Sequence, residues 1–113
     1  MMSCLFCKIV AGEIPSKKIY EDDKVLLFHD VDPKAPVHFL AIPKKHITSA
    51  NEINAENGVI VADIFVAIAK AAKELGLENG YRIVTNIGED GGQTVEHMHF
   101  HVLGGRHLSW PPG

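Results

Sequence analysis

The segment of residues 97–103, His-Met-His-Phe-His-Val-Leu, constrains the fold of this chain more than any other stretch. Its alternation of histidine with large apolar residues has the period of two that is typical of a β-strand with one buried face. The three histidines are therefore predicted to project from one face, and the apolar residues between them to point into a core. Because imidazole can serve as nucleophile, base or metal ligand near neutral pH, this strand is the candidate functional element.

Helix and strand patterns cover most of the remaining chain. Apolar spacing predicts a short helix from Cys4 to about Gly12 and a long helix from about Asn54 to Leu75. Strands are predicted at residues 19–21, 24–29, 37–42 and 80–86, in addition to the histidine segment. This order of elements indicates an α+β fold with a mostly antiparallel sheet.

Length and charge narrow the class of protein. A chain of 113 residues is expected to form a single domain, residues 1–113. A formal charge of −3 gives no attraction to nucleic acid or anionic membranes, so neither is an expected partner. No apolar run approaches the ~20 residues of a membrane span, and the N-terminus lacks the pattern of a signal peptide. We therefore expect a cytoplasmic protein in which Cys4 and Cys7 are reduced.

The segment before the histidines, residues 86–94, is rich in glycine and short polar side chains. It is predicted to be a loop that offers backbone N–H groups to an anion, although it is not a P-loop.

Several motifs together resemble one family. They are the histidine segment, the Gly-Gly-Gln-Thr loop, residues 28–30, 35–40 and 42–47, and the ending Trp-Pro-Pro-Gly at residues 110–113. The combination resembles the histidine-triad (HIT) superfamily, and the ending is similar to that of its Hint branch, the purine nucleoside phosphoramidases. The resemblance implies a mostly antiparallel five-stranded sheet per subunit, with one long and one short helix, continued across a homodimer.

The resemblance also implies a reaction. Hint proteins cleave the P–N bond of adenosine or guanosine 5′-phosphoramidates and release nucleoside monophosphate and amine, so the expected ligand is a purine nucleotide of the AMP or GMP type. His99, the middle histidine, would be the nucleophile and form a nucleotidyl-histidine, and His101 would donate to phosphate oxygens. A backbone carbonyl would hold His99 in one tautomer, and we expect this carbonyl on the strand after Pro36, around His38. No cofactor is expected for catalysis.

Other site residues follow from the same resemblance, position by position. Asp30 corresponds to the family's ribose ligand, and His38 and Thr94 join His99 and His101 in the catalytic set. Contacts to the phosphate or leaving group are expected from Asn86, Gly92, Gln93 and Thr94. Phe6, Ile9, Phe28 and Val31 match the base pocket, with plain core packing as the alternative for each. Trp110 would approach the site of the partner subunit, whereas His29 and His107 have no assigned role.

Two cysteines and two histidines form a candidate metal set. Cys4, Cys7, His46 and His97 have the Cys₂His₂ composition of many structural zinc sites, and some HIT proteins bind zinc with such a pattern. The alternative is two reduced cysteines that pack a helix. A redox pair of the thioredoxin type is less favoured, because no βαβ unit follows. The three histidines could themselves hold a metal, but the surrounding family match favours a nucleophile at His99.

The long predicted helix is apolar almost all round between Val59 and Ala69. A helix on the surface of a small monomer would show a single apolar stripe. We therefore predict two buried faces, one against the sheet and one against a partner subunit. The alternative is a helix enclosed by the core of its own monomer.

Three other functions stay open at this stage. A dinucleoside polyphosphate hydrolase of the same superfamily would cleave P–O–P bonds, and the Trp-Pro-Pro-Gly ending argues against it. A nucleotide-binding regulatory or scaffold protein would bind AMP with incidental hydrolysis. A zinc-dependent hydrolase would use the three histidines as ligands.

Overall fold

A computed structural model describes residues 4–113. It contains one five-stranded sheet and two α-helices, as predicted. The strands are β1 (Lys18–Glu21), β2 (Val25–His29), β3 (Val37–Pro43), β4 (Tyr81–Val84) and β5 (Phe100–Gly104), and the helices are α1 (Leu5–Val10) and α2 (Val59–Glu74). The spatial order is β1-β2-β3-β5-β4, and every neighbouring pair is antiparallel.

One face of the sheet packs on α2. Because side chains alternate along a strand, Phe39 and Ala41 of β3 and Phe100 and Val102 of β5 lie on this face. They form a core with Met98 and the inner residues of α2, which are Ile64, Ala67, Ile68, Ala71 and Ala72. Met98, Phe100 and Val102, which alternate with the histidines, are therefore buried on the predicted side.

The other face of the sheet packs on α1. Phe6 and Ile9 of this helix pack against Leu26 and Phe28 of β2 and against Leu40 and Ile42 of β3. The N-terminus of α1 is capped by the Cys4 sulfur, which accepts the Cys7 N–H at 3.4 Å. Gly12, at a φ of 80° that favours glycine, follows the helix at the predicted stop.

The predicted strand over residues 97–103 is wrong at its start, because β5 begins only at Phe100. Phe100 is paired with Ala41. Beyond that pair, Pro43 has no N–H for a ladder, and its carbonyl accepts a hydrogen bond from the His97 ring instead. His97 and His99 therefore lie in an irregular segment just before the strand.

The predicted start of the long helix at about Asn54 is also wrong, because α2 begins at Val59. The Asn54 side-chain oxygen accepts the N–H groups of Glu56 and Asn57, at 2.8 and 3.0 Å. These bonds close a separate turn ahead of the helix. At the other end, Gly76 follows the helix with a φ of 76°, as expected for a C-terminal cap.

The outer side of α2 is apolar. Val59 and Val66 are 64% and 58% exposed, and Ala62 and Ala69 lie exposed at the same helical spacing. Within residues 4–113, no helix has the length and apolar character needed to cross a membrane.

Candidate functional site

The structure separates the histidines of the triad into two neighbouring clusters. His99 and His101 lie together, with ring centroids 5.1 Å apart, and His38 from β3 joins them. The His97 ring turns toward the two cysteines instead. The Phe6 ring packs edge-on against both groups, with its centroid 5.0 Å from His99 and 5.9 Å from His97.

A backbone carbonyl sets the tautomer of His99. The Nδ1–H of His99 donates to the carbonyl of His97 at 2.7 Å, so the lone pair of His99 is on Nε2. Burial lowers the pKa of this ring, which is therefore neutral at pH 7. The expectation that the carbonyl belongs to the strand around His38 is wrong. The carbonyl belongs to His97, two residues before His99, because the irregular segment directs it toward the His99 ring instead of into a strand ladder.

A chain of hydrogen bonds sets the tautomers of His38 and His101. The backbone N–H of Lys34 donates to His38 Nδ1 at 3.0 Å, so the proton of His38 is on Nε2. That nitrogen lies 2.9 Å from His101 Nδ1, which must accept the bond. The proton of neutral His101 is therefore on Nε2, where it can form a hydrogen bond to a substrate.

Burial, with the neighbouring His99 and His38, lowers the pKa of His101 to about 4. The ring is therefore a neutral donor at pH 7. A neutral imidazole that donates a hydrogen bond beside a second neutral imidazole with a free lone pair can stabilise an anionic oxygen next to a nucleophile.

Asp30 lies at the edge of this group. Its Oδ2 atom is 3.4 Å from His38 Nε2 and 4.0 Å from His101 Nδ1, and its Oδ1 atom accepts the Asp32 N–H at 2.8 Å. These three residues come close enough to hold a metal ion. They do not fit one, because the Lys34 N–H leaves His38 Nε2 protonated and therefore without a lone pair for a metal.

A cavity of about 700 Å³ opens beside Asp30 and His38. Its other lining residues are Pro15, Ser16, Lys17, His29, Val31, Pro33 and Pro36. This volume is within the range of small-molecule sites. No sequence pattern assigned a role to His29, and only its position between Phe28 and Asp30 could have indicated that it lines the cavity.

The four residues predicted for the base pocket differ in their environments. Phe6, Ile9 and Phe28 are buried in the core under α1, whereas Val31 is 99% exposed and lines the cavity. Phe6 additionally contacts the His99 ring. Three of the four thus belong to the core that supports the histidines.

The glycine-rich loop is closed by Gln93. The side-chain oxygen of Gln93 accepts the Gly88 N–H at 3.0 Å, and its amide nitrogen donates to the carbonyls of Thr48 and Val95 at 2.7 and 3.0 Å. Both amide hydrogens of Gln93 are therefore used within the protein. Thr94 is exposed, Asn86 is half-buried, and Gly92 has a φ of 78° that favours glycine.

The predicted metal set is brought together. One donor atom from each of Cys4, Cys7, His46 and His97 lies within 4.8 Å of the others. Cys7 Sγ is 3.3 Å from His46 Nδ1, and Cys4 Sγ is 3.4 Å from His97 Nδ1. These residues connect α1 to the segment that follows β3 and to the segment that precedes β5.

The chemistry of these four residues fits zinc. The His97 Nε2–H donates to the carbonyl of Pro43 at 2.8 Å, so its Nδ1 lone pair faces the sulfurs. The His97 ring is 0% exposed, and burial lowers its pKa, which keeps it neutral. Burial also raises the pKa of Cys7, and a bound cation would counter this by favouring the thiolate. Two sulfurs and two imidazoles are a donor set that zinc prefers.

The C-terminal segment lies against β4. The Arg82 guanidinium donates to the Ser109 carbonyl at 3.1 Å and lies 5.9 Å from the centre of the Trp110 ring. Trp110 is 79% exposed. Its contact within the chain is therefore with Arg82, and most of its ring is open to another molecule.

Fold and site together define a class: a small α+β protein with a histidine-triad site. A model of the HIT domain family matches residues 11–108. An uncharacterized HIT-like protein of Synechococcus elongatus is 49% identical over 109 residues, which cover 96% of each chain. The chain belongs to the HIT family.

Solved structures agree with this assignment. A HIT family hydrolase from Legionella pneumophila has a TM-score of 0.96 and 49% identity, and the match covers 98% of this chain and 100% of that one. A histidine triad nucleotide-binding protein from Candida albicans has a TM-score of 0.83 and 36% identity, with coverage of 96% and 83%.

Proposed function

We propose that this protein is a nucleotide hydrolase of the Hint branch, which cleaves the P–N bond of adenosine or guanosine 5′-phosphoramidates. The observation that carries the proposal is the pair of tautomers: a lone pair on His99 Nε2 beside a proton on His101 Nε2. Similarity to a protein named a hydrolase and to one named nucleotide-binding supports it.

The reaction has two steps. His99 Nε2 attacks the phosphorus while the His101 Nε2–H donates a hydrogen bond to a phosphoryl oxygen, the P–N bond breaks, and the amine leaves with a proton taken from solvent. A nucleotidyl-histidine remains. Water then attacks the phosphorus and returns a proton to solvent, and the bond to His99 breaks, which releases the nucleoside monophosphate and restores the lone pair on His99 Nε2.

Substrate orientation follows from the surroundings of the two rings. The cavity beside Asp30 would hold the nucleoside, and the Asp30 carboxylate would accept hydrogen bonds from the ribose hydroxyls. The Gly92 and Gln93 N–H groups donate within the loop, to the Glu89 and Gly88 carbonyls, so the Thr94 N–H would bind the phosphate, with the Asn86 and Thr94 side chains toward the leaving group. Gln93, whose amide closes the loop, positions these groups.

A structural zinc ion is proposed for Cys4, Cys7, His46 and His97, and none for catalysis. When bound, zinc supplies a cross-link between segments that are distant in sequence. The two sulfurs come from α1 and its N-cap, and the two imidazoles come from residues 46 and 97.

A homodimer is proposed through the apolar outer side of α2. Val59 and Val66 would otherwise stay in contact with water, and a second copy of the same face covers them by symmetry. Strand β4 is at one edge of the sheet, so pairing there would continue the sheet between subunits. Such an arrangement would bring Trp110 toward the partner's site.

The test is the release of AMP from an adenosine 5′-phosphoramidate that carries a fluorogenic amine. The wild type should be active, and His99→Ala should reduce kcat by about 10³-fold or more. Rapid quenching of the wild type should give a nucleotidyl adduct on His99, detected by peptide mass spectrometry. His107→Gln, a change at an exposed histidine outside the site, is the matched control and should keep activity.

Other outcomes would point to other functions. A folded wild type that binds AMP without turnover would indicate a nucleotide-binding module. Faster cleavage of a diadenosine polyphosphate would indicate the P–O–P hydrolases. Turnover without an adduct on His99 would contradict covalent catalysis.

A further inference from the structure

His97 belongs to both clusters through different atoms. Its ring nitrogen Nδ1 lies 3.4 and 3.6 Å from the sulfurs of Cys4 and Cys7. Its backbone carbonyl accepts the Nδ1–H of His99 at 2.7 Å. Because the ring is fully buried and its other nitrogen is bound to the Pro43 carbonyl, the ring cannot move without the backbone that holds His99.

The second histidine of the Cys/His cluster has a similar connection. His46 begins a three-residue segment whose next two carbonyls contact the hydrolytic site. The Ile47 carbonyl accepts the N–H of Met98, between His97 and His99. The Thr48 carbonyl accepts from the Gln93 side chain, which closes the glycine-rich loop. The position of His46 is therefore coupled to both parts of the site.

Helix α1 is the third connection between the Cys/His cluster and the hydrolytic site. Phe6 lies between Cys4 and Cys7 in sequence, and its ring packs against both His97 and His99. A helix of six residues has little stability of its own, so its placement depends on what it packs on and what it is linked to. The two cysteines at its N-terminal end link it to His46 and His97.

We infer that Cys4, Cys7, His46 and His97 are positioning residues for the hydrolytic site, beyond holding α1 in the fold. Held together by a metal ion, they keep the His97 and Thr48 carbonyls where these orient His99 and the glycine-rich loop. Without that link, His99 samples other orientations and tautomers. The expected change in kcat rests on the proposed function. The expected change in the orientation of His99 does not depend on that function.

The test compares wild-type protein as purified, after zinc is stripped with a chelator, and after zinc is restored. Metal analysis should find one zinc per chain before stripping and after restoration. Stripping should reduce kcat by about 10–100-fold, which is the usual effect of losing a group that orients an active-site residue. KM should change less than about threefold. Restored zinc should return kcat.

A spectroscopic measurement reports the position of His99 without turnover. In ¹⁵N-labelled protein, the Nδ1–H proton held by the His97 carbonyl should exchange slowly with water, and its signal is assigned by its loss in His99→Ala. Stripping zinc should make this exchange faster and broaden the signal. A purely structural role for the cluster at α1 would leave it unchanged.

Two variants remove one ligand each. Cys7→Ser is nearly isosteric, and His46→Asn acts from the opposite side of the cluster, so one of the two serves if the other fails to fold. Both should lose zinc, lower kcat and broaden the His99 signal, while His107→Gln should change none of the three.

The inference is overturned if folded, zinc-free protein keeps the wild-type kcat and the sharp His99 signal, or if the purified wild type carries no metal at the cluster. A wild type without phosphoramidase activity would overturn the proposed function instead. The His99 signal would still decide the inference in that case.

Discussion

At the scale of single residues, one hydrogen bond decides what each imidazole can do. The Pro43 carbonyl leaves the His97 lone pair facing the sulfurs, and the His97 carbonyl leaves the His99 lone pair free for phosphorus. The Lys34 N–H donates to His38 Nδ1, which leaves the His38 proton on Nε2. That proton is donated to His101 Nδ1, so the His101 proton is on Nε2. In the proposed mechanism, four chemically identical side chains thus take the separate roles of zinc ligand, nucleophile, positioning residue and hydrogen-bond donor to the phosphate.

The lowered pKa of His101 predicts how stability depends on pH. Its pKa is about 4 in the folded protein and 6.5 without the fold, so between these values the unfolded chain binds more protons. The free energy of unfolding should be fully retained above pH 6.5 and should fall as the pH decreases toward 4. The lowered pKa of His38 acts in the same direction.

Urea unfolding at about pH 7.5 and about pH 4.5 measures this loss of stability. His101→Asn should lose less stability than the wild type between the two values, since the substituted side chain does not titrate. Any loss of metal at low pH affects both proteins alike, so the difference belongs to His101. Equal losses would contradict the assigned pKa.

At the scale of elements, the glycine-rich loop depends on backbone shape. A Cβ atom at Gly91 would overlap the Ile87 carbonyl oxygen, so a side chain there forces the loop to move. At Gly92 a Cβ atom would meet nothing within 4 Å, although the φ of 78° disfavours most residues. Steric room and backbone conformation thus constrain two adjacent glycines differently.

This difference predicts a contrast between two variants. Gly91→Ala should weaken AMP binding by about tenfold or more, which corresponds to about 1.4 kcal/mol and is within the cost of a displaced backbone. Gly92→Asn should have a smaller effect, because asparagine tolerates a positive φ. Isothermal titration calorimetry with AMP measures both, and the reverse order would show that the loop does not bind the phosphate.

The elements also show where sequence patterns were sufficient. Period-two alternation correctly placed Met98, Phe100 and Val102 together in the core under α2, because the face to which a side chain projects follows from its spacing along an extended chain. The starts of α2 and β5 were wrong, since a side-chain bond at Asn54 and a missing N–H at Pro43 decided them. Such local competition leaves no trace in the hydrophobic pattern.

At the scale of the whole molecule, the outer side of α2 predicts self-association. Val66→Glu places a charge in the proposed interface, and burial of an unpaired charge is costly, so the variant should be monomeric where the wild type is dimeric. Analytical ultracentrifugation measures the mass. Leu5→Glu, at a similarly exposed apolar residue on α1, is the matched control and should stay dimeric. A monomeric wild type would contradict the proposal.

The sequence by itself determined the family, the antiparallel sheet, the four members of the Cys/His cluster and the importance of the histidine segment. These follow from residue type and short-range spacing. Only the tertiary structure decided that the triad divides between two clusters, and which nitrogen of each ring carries the proton. The physical reason is that the partners of His97 and His101 come from Pro43, 54 residues away, and from His38, 63 residues away. Folding brings these partners together, and no local pattern encodes their distances.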